Sequence, residues 1–143
     1  MEWQGIHHIA LATKDLEQTI RFYTEKLGMQ SSPIYPANPF HGPHAFIHPG
    51  DSTTTTALGL HFFEVAEAQI HTHPESLQRL TFIPGALQHI AFALQHEDAG
   101  LRMRKQLESH QIEMTTLLNN GPTRSFGFLD NNGIQLEAIW PKL

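Results

Sequence analysis

Two histidines stand at the head of the same short phrase. His8-Ile9-Ala10-Leu11-Ala12 returns 81 residues later as His89-Ile90-Ala91-Phe92-Ala93, each time running from a strand-like stretch toward an amphipathic one. A neutral imidazole is a metal ligand or a proton carrier, and two of them at equivalent places in two half-size modules can meet if the modules pack with pseudo-symmetry. A carboxylate completes the candidate set. Residues two apart on a strand share a face, so Gln135, Glu137 and Ile139 lie together on the last strand. Glu137 sits between Leu136 and Ala138, where an unpaired charge is costly, so it either faces water or has a cationic partner, a metal ion among the choices. Two imidazoles and one carboxylate make the 2-His-1-carboxylate pattern, which leaves open positions for substrate, water or dioxygen. His8, His89 and Glu137 are the candidate ligands, while His7 points to the opposite face of its strand as a surface or supporting group.

The elements that must position these residues are legible in outline. Gly5 to Ala12 reads as a buried strand, and Asp15 follows as an N-cap with Gln18 as its capping-box partner. Leu16, Ile20, Tyr23 and Leu27 fall on one helical face, and Gly28 suits a left-handed C-cap. Short strands are expected over 30–34 and 45–48, with a Pro-broken loop over 35–43 between them and a longer strand over 54–65. Residues 67–84 read as a linker. The second half repeats the order: a strand over 87–94, a helix over 97–109, strands over 112–117 and 123–129, and an Asn132-Gly133 turn into a last strand over 134–140. The order is strand, helix, three strands, twice, which makes the fold class α+β, with module one over about 1–66 and module two over about 85–143 of a single domain.

Composition limits the functions open to this chain. With 143 residues, 40% of them hydrophobic, one compact domain is expected. A net charge of -5 with nine Lys and Arg argues against a nucleic acid partner. No apolar run reaches membrane-spanning length, and Met1-Glu2-Trp3-Gln4 lacks the marks of a signal peptide, so a cytoplasmic, non-membrane protein is expected. There is no Cys, so any metal must be held by His and carboxylate, and the eleven His make that feasible.

His8-Ile-Ala-Leu, Asp15-Leu-Glu-Gln-Thr-Ile-Arg-Phe-Tyr23 and Lys26-Leu-Gly28 resemble the opening module of the vicinal oxygen chelate superfamily, which includes glyoxalase I, extradiol dioxygenases and the bleomycin and fosfomycin resistance proteins. Gln88-His89-Ile-Ala-Phe resembles the start of its second module. Phe128-Leu-Asp130-Asn-Asn-Gly133-Ile-Gln-Leu-Glu137 resembles its closing hairpin, with Asn131 replacing the usual Pro. The resemblance implies paired βαβββ modules forming a cupped, mixed eight-stranded sheet around one divalent metal ion (Fe, Mn, Zn, Ni or Co). Its ligands would be His8, His89 and Glu137, and Glu137 would also be catalytic. It implies a small-molecule substrate bound through two vicinal oxygens, with the metal as Lewis acid, and a homodimer.

Within that superfamily the fourth strand separates branches. Glyoxalase I-like members place a fourth ligand there, and alignment with them puts Leu60 at that position and turns His61 to the other face, unless a bulge or register shift brings it in. A three-ligand site resembles the extradiol dioxygenases, so the expectation leans to ring cleavage. The alternatives are a glyoxalase I-like lyase or isomerase with His61 as fourth ligand, and a non-catalytic protein that sequesters a ligand as bleomycin resistance proteins do. Arg124-Ser125-Phe126-Gly127-Phe128 resembles a segment of some ring-cleaving members, with Gly127 where they carry Tyr, and Arg124 becomes a candidate partner for an anionic substrate group. His44, His48 and His61 are candidate acids or bases.

Overall fold

The computed structural model describes residues 5–50, 59–69 and 87–142. The chain divides into two compact units, Met1–Gln69 and Ile70–Leu143. In the first, β1 (His8–Thr13) leads into α1 (Leu16–Arg21) and a π-helical segment (Phe22–Lys26), followed by β2 (Gln30–Ser31), β3 (His44–His48) and β4 (Gly59–Glu64). In the second, β5 (Ile90–Ala93) leads into α2 (Glu97–Ser109), then β6 (Leu118–Asn120), β7 (Thr123–Leu129) and β8 (Gln135–Pro141). The sheets have matching orders, β1-β4-β3-β2 and β5-β8-β7-β6, and in each the first strand pairs in parallel with the last while the other pairs are antiparallel. This is the twofold βαβββ, α+β order expected from the sequence. Among the described residues no helix is long and apolar enough to cross a membrane.

Local chemistry explains the first helix. Asp15 Oδ1 accepts from the Gln18 amide at 2.8 Å, and Glu64 Oε2 reaches back from β4 to accept from the Leu16 amide at 3.0 Å, so two of the orphan donors at the N-terminus are satisfied. Leu16, Tyr23 and Leu27 are buried against Ala45, Ile47, Leu60 and Phe62, the inner face of the sheet. Gly28 ends the run with φ +69, a conformation that L side chains rarely adopt. The helix differs from the expected single α-helix in its last turn, which widens to π geometry from Phe22 onward.

In the second unit, Leu107 of α2 and Ile90, Phe126, Phe128, Leu136, Ala138 and Trp140 of the sheet form the buried side. Gly100 permits the close approach of helix and sheet, because a Cβ there would lie 2.5 Å from Cδ2 and Cε3 of Trp140. In the closing turn Asp130 Oδ1 accepts from the amides of Asn132 and Ile134, both at 2.8 Å, and Gly133 takes φ +79.

Two strand expectations are corrected. The strand expected over 30–34 is limited to Gln30–Ser31: the Ser32 amide still donates to the Phe46 carbonyl at 2.9 Å, but the Phe46 amide turns to Ser32 Oγ, and Pro33 has no amide hydrogen with which to continue the ladder. The strand expected over 112–117 is reduced to one bridge between Met114 and Phe128, and the regular pairing begins at Leu118. Here the Thr115 amide and hydroxyl both engage Gly127, and Arg104 takes the Thr115 carbonyl at 2.8 Å, so a side-chain contact replaces the ladder. The strand expected over 54–65 is seen as Gly59–Glu64, with 54–58 outside the described residues, as is most of the 67–84 linker.

Candidate metal centre

Each sheet has one face turned to its helix and one turned away. In the second unit His89 immediately precedes β5, and β5 pairs with β8 so that Ala91 is opposite Glu137. His89 and Glu137 therefore share the outer face as diagonal neighbours. His89 Nε2 lies 3.2 Å from Glu137 Oε2, with the Glu137 side chain 19% exposed. The other ring nitrogen, Nδ1, contacts the side-chain carbonyl oxygen of Gln88, whose amide nitrogen donates to Gln135 Oε1 at 3.1 Å.

This arrangement has a definite electrostatic meaning. Gln88 Oε1 can only accept, so Nδ1 carries the proton. A neutral His89 then points its lone pair on Nε2 at a carboxylate oxygen, two acceptors face to face. A shared cation resolves the conflict, either a proton on Nε2 or a metal ion. Two ligand atoms at ordinary bond lengths from one metal are about 3.0–3.4 Å apart in octahedral or tetrahedral geometry, and the 3.2 Å separation falls in that interval. The donor chemistry and spacing of this pair fit a divalent ion. Among the described residues no group of three or more His, Asp or Glu converges on one point.

In the first unit His8 is exposed at the head of β1 on the corresponding face, and its Nδ1 lies 2.9 Å from His7 Nδ1. The register of β1 against β4 corrects the expectation about the fourth strand. Ile9 is opposite Leu60 and Ala10 opposite His61, so Leu60 and Phe62 face the helix, where both are buried, and His61 shares the face of His8. The two rings meet edge to face with centroids 5.4 Å apart. No bulge is required. In the second unit the same register sets Ile90 opposite Leu136 and Ala91 opposite Glu137. His61 thus occupies in module one the position that Glu137 occupies in module two.

His61 is 8% exposed. Its ring stacks on Phe46 at 3.9 Å and against Phe63 at 4.1 Å, and its Nε2 shares a proton with His44 Nδ1 at 2.7 Å. Burial, followed by the charges that His44, His8 and His41 would carry, pushes the His61 pKa down to about 4. Burial and then His41 lower that of His44. His61 is therefore a neutral imidazole near pH 7. His48 lies on the same face of β3, opposite Gln30 of β2.

Arg124 is placed elsewhere. On β7 it pairs with Trp140 and alternates with Phe126 and Phe128, so it lies on the helix side, the face opposite Glu137. There it forms an ion pair with Glu97 at the start of α2, while Glu97 Oε2 accepts from Trp140 Nε1 at 2.9 Å. Its guanidinium is engaged in holding the helix to the sheet, which removes the substrate-anchoring role expected for it. Gly127 is opposite Glu137, and a Cβ there would make only ordinary contacts, the nearest 3.5 Å from Thr115 Cγ2. Gln88 and Gln135, which sequence reasoning passed over, are the residues that orient His89.

Two mixed sheets of matching topology, each beginning with a histidine at the head of a parallel edge strand, define a duplicated βαβββ protein. The sequence profile of the Glyoxalase/Bleomycin resistance protein/Dioxygenase superfamily matches residues 5–138, and the chain belongs to that superfamily. The fold is shared with solved structures. A glyoxylase/bleomycin resistance protein/dioxygenase domain from Frankia sp. EAN1pec is similar with TM-score 0.75 and 20% identity over 99% of this chain and 94% of that one. The fosfomycin resistance protein FosX from Listeria monocytogenes gives TM-score 0.65 and 21% identity, covering 99% and 97% of the two chains. The trypanothione-dependent glyoxalase I of Leishmania major gives 0.66 and 19%, covering 95% and 86%. At these identities the likeness speaks for the fold alone. A search of curated protein sequences finds no match.

Proposed function

We propose that this chain is a metal-dependent enzyme acting on a small molecule that chelates the metal through two vicinal oxygens. The observation that carries the reading is the His89–Glu137 pair, two acceptors held 3.2 Å apart with the tautomer of His89 set by Gln88. His8, the counterpart of His89 in module one, is the third donor, and His61, the counterpart of Glu137, is the fourth. Iron, manganese, zinc, nickel and cobalt all accept such donors. A bound ion would supply Lewis acidity to the substrate oxygens. Glu137 is the carboxylate at this face and serves as the group that takes and returns a substrate proton. His61 stays neutral and therefore offers a lone pair instead of a competing positive charge.

The expectation of ring cleavage depends on Leu60 standing beside the metal and on the segment around Arg124. The β1–β4 register turns Leu60 into the core, and Arg124 faces the helix. Four donors suit proton transfer within a chelated substrate, so a lyase or isomerase is the first reading. An extradiol dioxygenase is the second, favoured by the hydrogen bond between His44 and His61. That bond would let His61 work as an acid or base beside a three-ligand iron site. We propose a homodimer as the working form, which light scattering of the purified protein tests.

The decisive experiment is elemental analysis of tag-free protein purified without oxygen, as wild type and as Glu137→Ala. About one equivalent of a single metal per chain, lost in the variant, is the expected result. Zinc or nickel with turnover of a hemithioacetal supports the lyase reading, and iron with dioxygen uptake on a catechol or hydroquinone supports the second. Substoichiometric metal indifferent to the substitution sinks both and leaves a protein that sequesters a ligand without chemistry.

A further inference from the structure

A ligating imidazole works through one nitrogen, and the partner of the other nitrogen decides which one that is. In this chain three imidazoles on the outer faces of the sheets each have such a partner. Gln88 Oε1 contacts His89 Nδ1, His7 Nδ1 lies 2.9 Å from His8 Nδ1, and His44 Nδ1 lies 2.7 Å from His61 Nε2. In the first two cases the partner is the residue immediately before the histidine, at equivalent places in the two modules. The local repeat therefore extends from the histidine to the group that holds it.

Gln88 is the least ambiguous of the three. Its amide is oriented by donation from Nε2 to Gln135 Oε1 at 3.1 Å, which leaves its carbonyl oxygen toward His89. Gln135 in turn lies on β8 two residues before Glu137, on the same face. A rail runs Gln135 to Gln88 to His89, and the strand that carries the carboxylate also sets the tautomer of its imidazole neighbour. The clamp on His61 is aromatic: its ring lies between Phe46 and Phe63, while His44 stacks on Tyr35 at 5.2 Å and on Phe63 at 5.3 Å. The His44–His61 hydrogen bond is thus held by packing on both rings.

We infer that Gln88, supported by Gln135, is a positioning residue that presents Nε2 of His89 to the metal, and that His7 and His44 act likewise, leaving Nε2 of His8 and Nδ1 of His61. The inference rests on the metal-binding reading above. It gives Gln88 and Gln135 a role that neither the fold nor the ligand set requires, and it assigns the coordinating atom on each ring.

Zinc is the probe. Its affinity is measured by competition with a chromophoric chelator for wild type, Gln88→Leu, Gln88→Glu and Gln135→Leu, with folding checked by circular dichroism. The His89 ring nitrogens are observed by 15N NMR of the zinc-loaded protein. Expected are Nε2 coordination with a resolved Nδ1 proton in wild type, an affinity loss of about 10–100-fold in Gln88→Leu, recovery in Gln88→Glu, which keeps the acceptor, and a smaller loss in Gln135→Leu. His44→Phe should weaken zinc in the same direction. Wild-type affinity in Gln88→Leu, or coordination of His89 through Nδ1, overturns the inference and leaves the metal site standing. Absence of stoichiometric zinc in wild type overturns the metal reading itself, and the inference with it. If Gln88→Leu does not fold, Gln135→Leu and the wild-type NMR assignment decide.

Discussion

Mild acid should destabilise this protein through His61. The imidazole is buried against Phe46 and Phe63, and its pKa falls from 6.5 to about 4 on folding. Between those two values the unfolded chain holds a proton there that the folded chain does not. Stability therefore rises with pH across that window, is fully present above about 6.5, and is lost progressively as the pH falls toward 4. The full difference corresponds to about 3 kcal/mol, and solvent screening on the open side of the sheet reduces the expected effect to about 1–2 kcal/mol. His44, whose pKa is lowered by burial and by His41, adds in the same direction. The assay is urea unfolding followed by circular dichroism from pH 7.5 to 4.5, on wild type and on His61→Phe, which keeps an aromatic ring in the stack and removes the titration. Whatever the substitution costs at pH 7.5, the slope of stability against pH should be shallower in the variant. Equal slopes would refute the burial argument and the claim that His61 is a neutral donor near pH 7.

Two further perturbations separate architecture from site. Gly100→Ala should destabilise by about 1–2 kcal/mol although it improves helix propensity by about 1 kcal/mol; the added Cβ meets Trp140 at 2.5 Å, and that ring cannot retreat because Glu97 holds its Nε1. A lowered melting temperature checks this, and a raised one would show that the helix can move off the sheet. Arg124→Met should cost about 1–2 kcal/mol by leaving Glu97 half-buried with Trp140 as its remaining partner, while metal stoichiometry stays at the wild-type value. Loss of metal without loss of stability would restore Arg124 to the site.

Much of the fold could be read because its signals are local. Asp15 and Gly28 bracket the first helix, Glu97 to Ser109 carries its own N-terminal acids, and Asn132-Gly133 turns the last hairpin, all properties of a few adjacent residues. The duplicated His-Ile-Ala phrase likewise marked both edge strands. The expected strand over 112–117 is not formed: its apolar residues suit a ladder, but the actual pairing depends on where Thr115 and Arg104 send their side chains, which no local pattern records.

The face of His61 was harder to read for a different reason. Parity along a strand is legible when polar and apolar residues alternate, as in Gln135 to Trp140, where Leu136, Ala138 and Trp140 are buried and Glu137 lies between them. Leu60-His61-Phe62-Phe63 has no such alternation, because the outer face of β4 is lined by aromatic and imidazole rings and is nearly as apolar as the inner one. Alignment with glyoxalase I-like members sets Leu60 in the site instead. A better template lay within the chain. Leu60-His61-Phe62 set against Leu136-Glu137-Ala138 keeps both leucines in the core and makes His61 the counterpart of Glu137, which is the register that the two parallel strand pairs adopt. The same comparison marks where the modules differ: one presents a carboxylate and the other a neutral imidazole. A carboxylate offsets part of a divalent charge where a neutral imidazole only donates a lone pair, so under the proposed function Glu137→Ala should cost more metal affinity than His61→Ala.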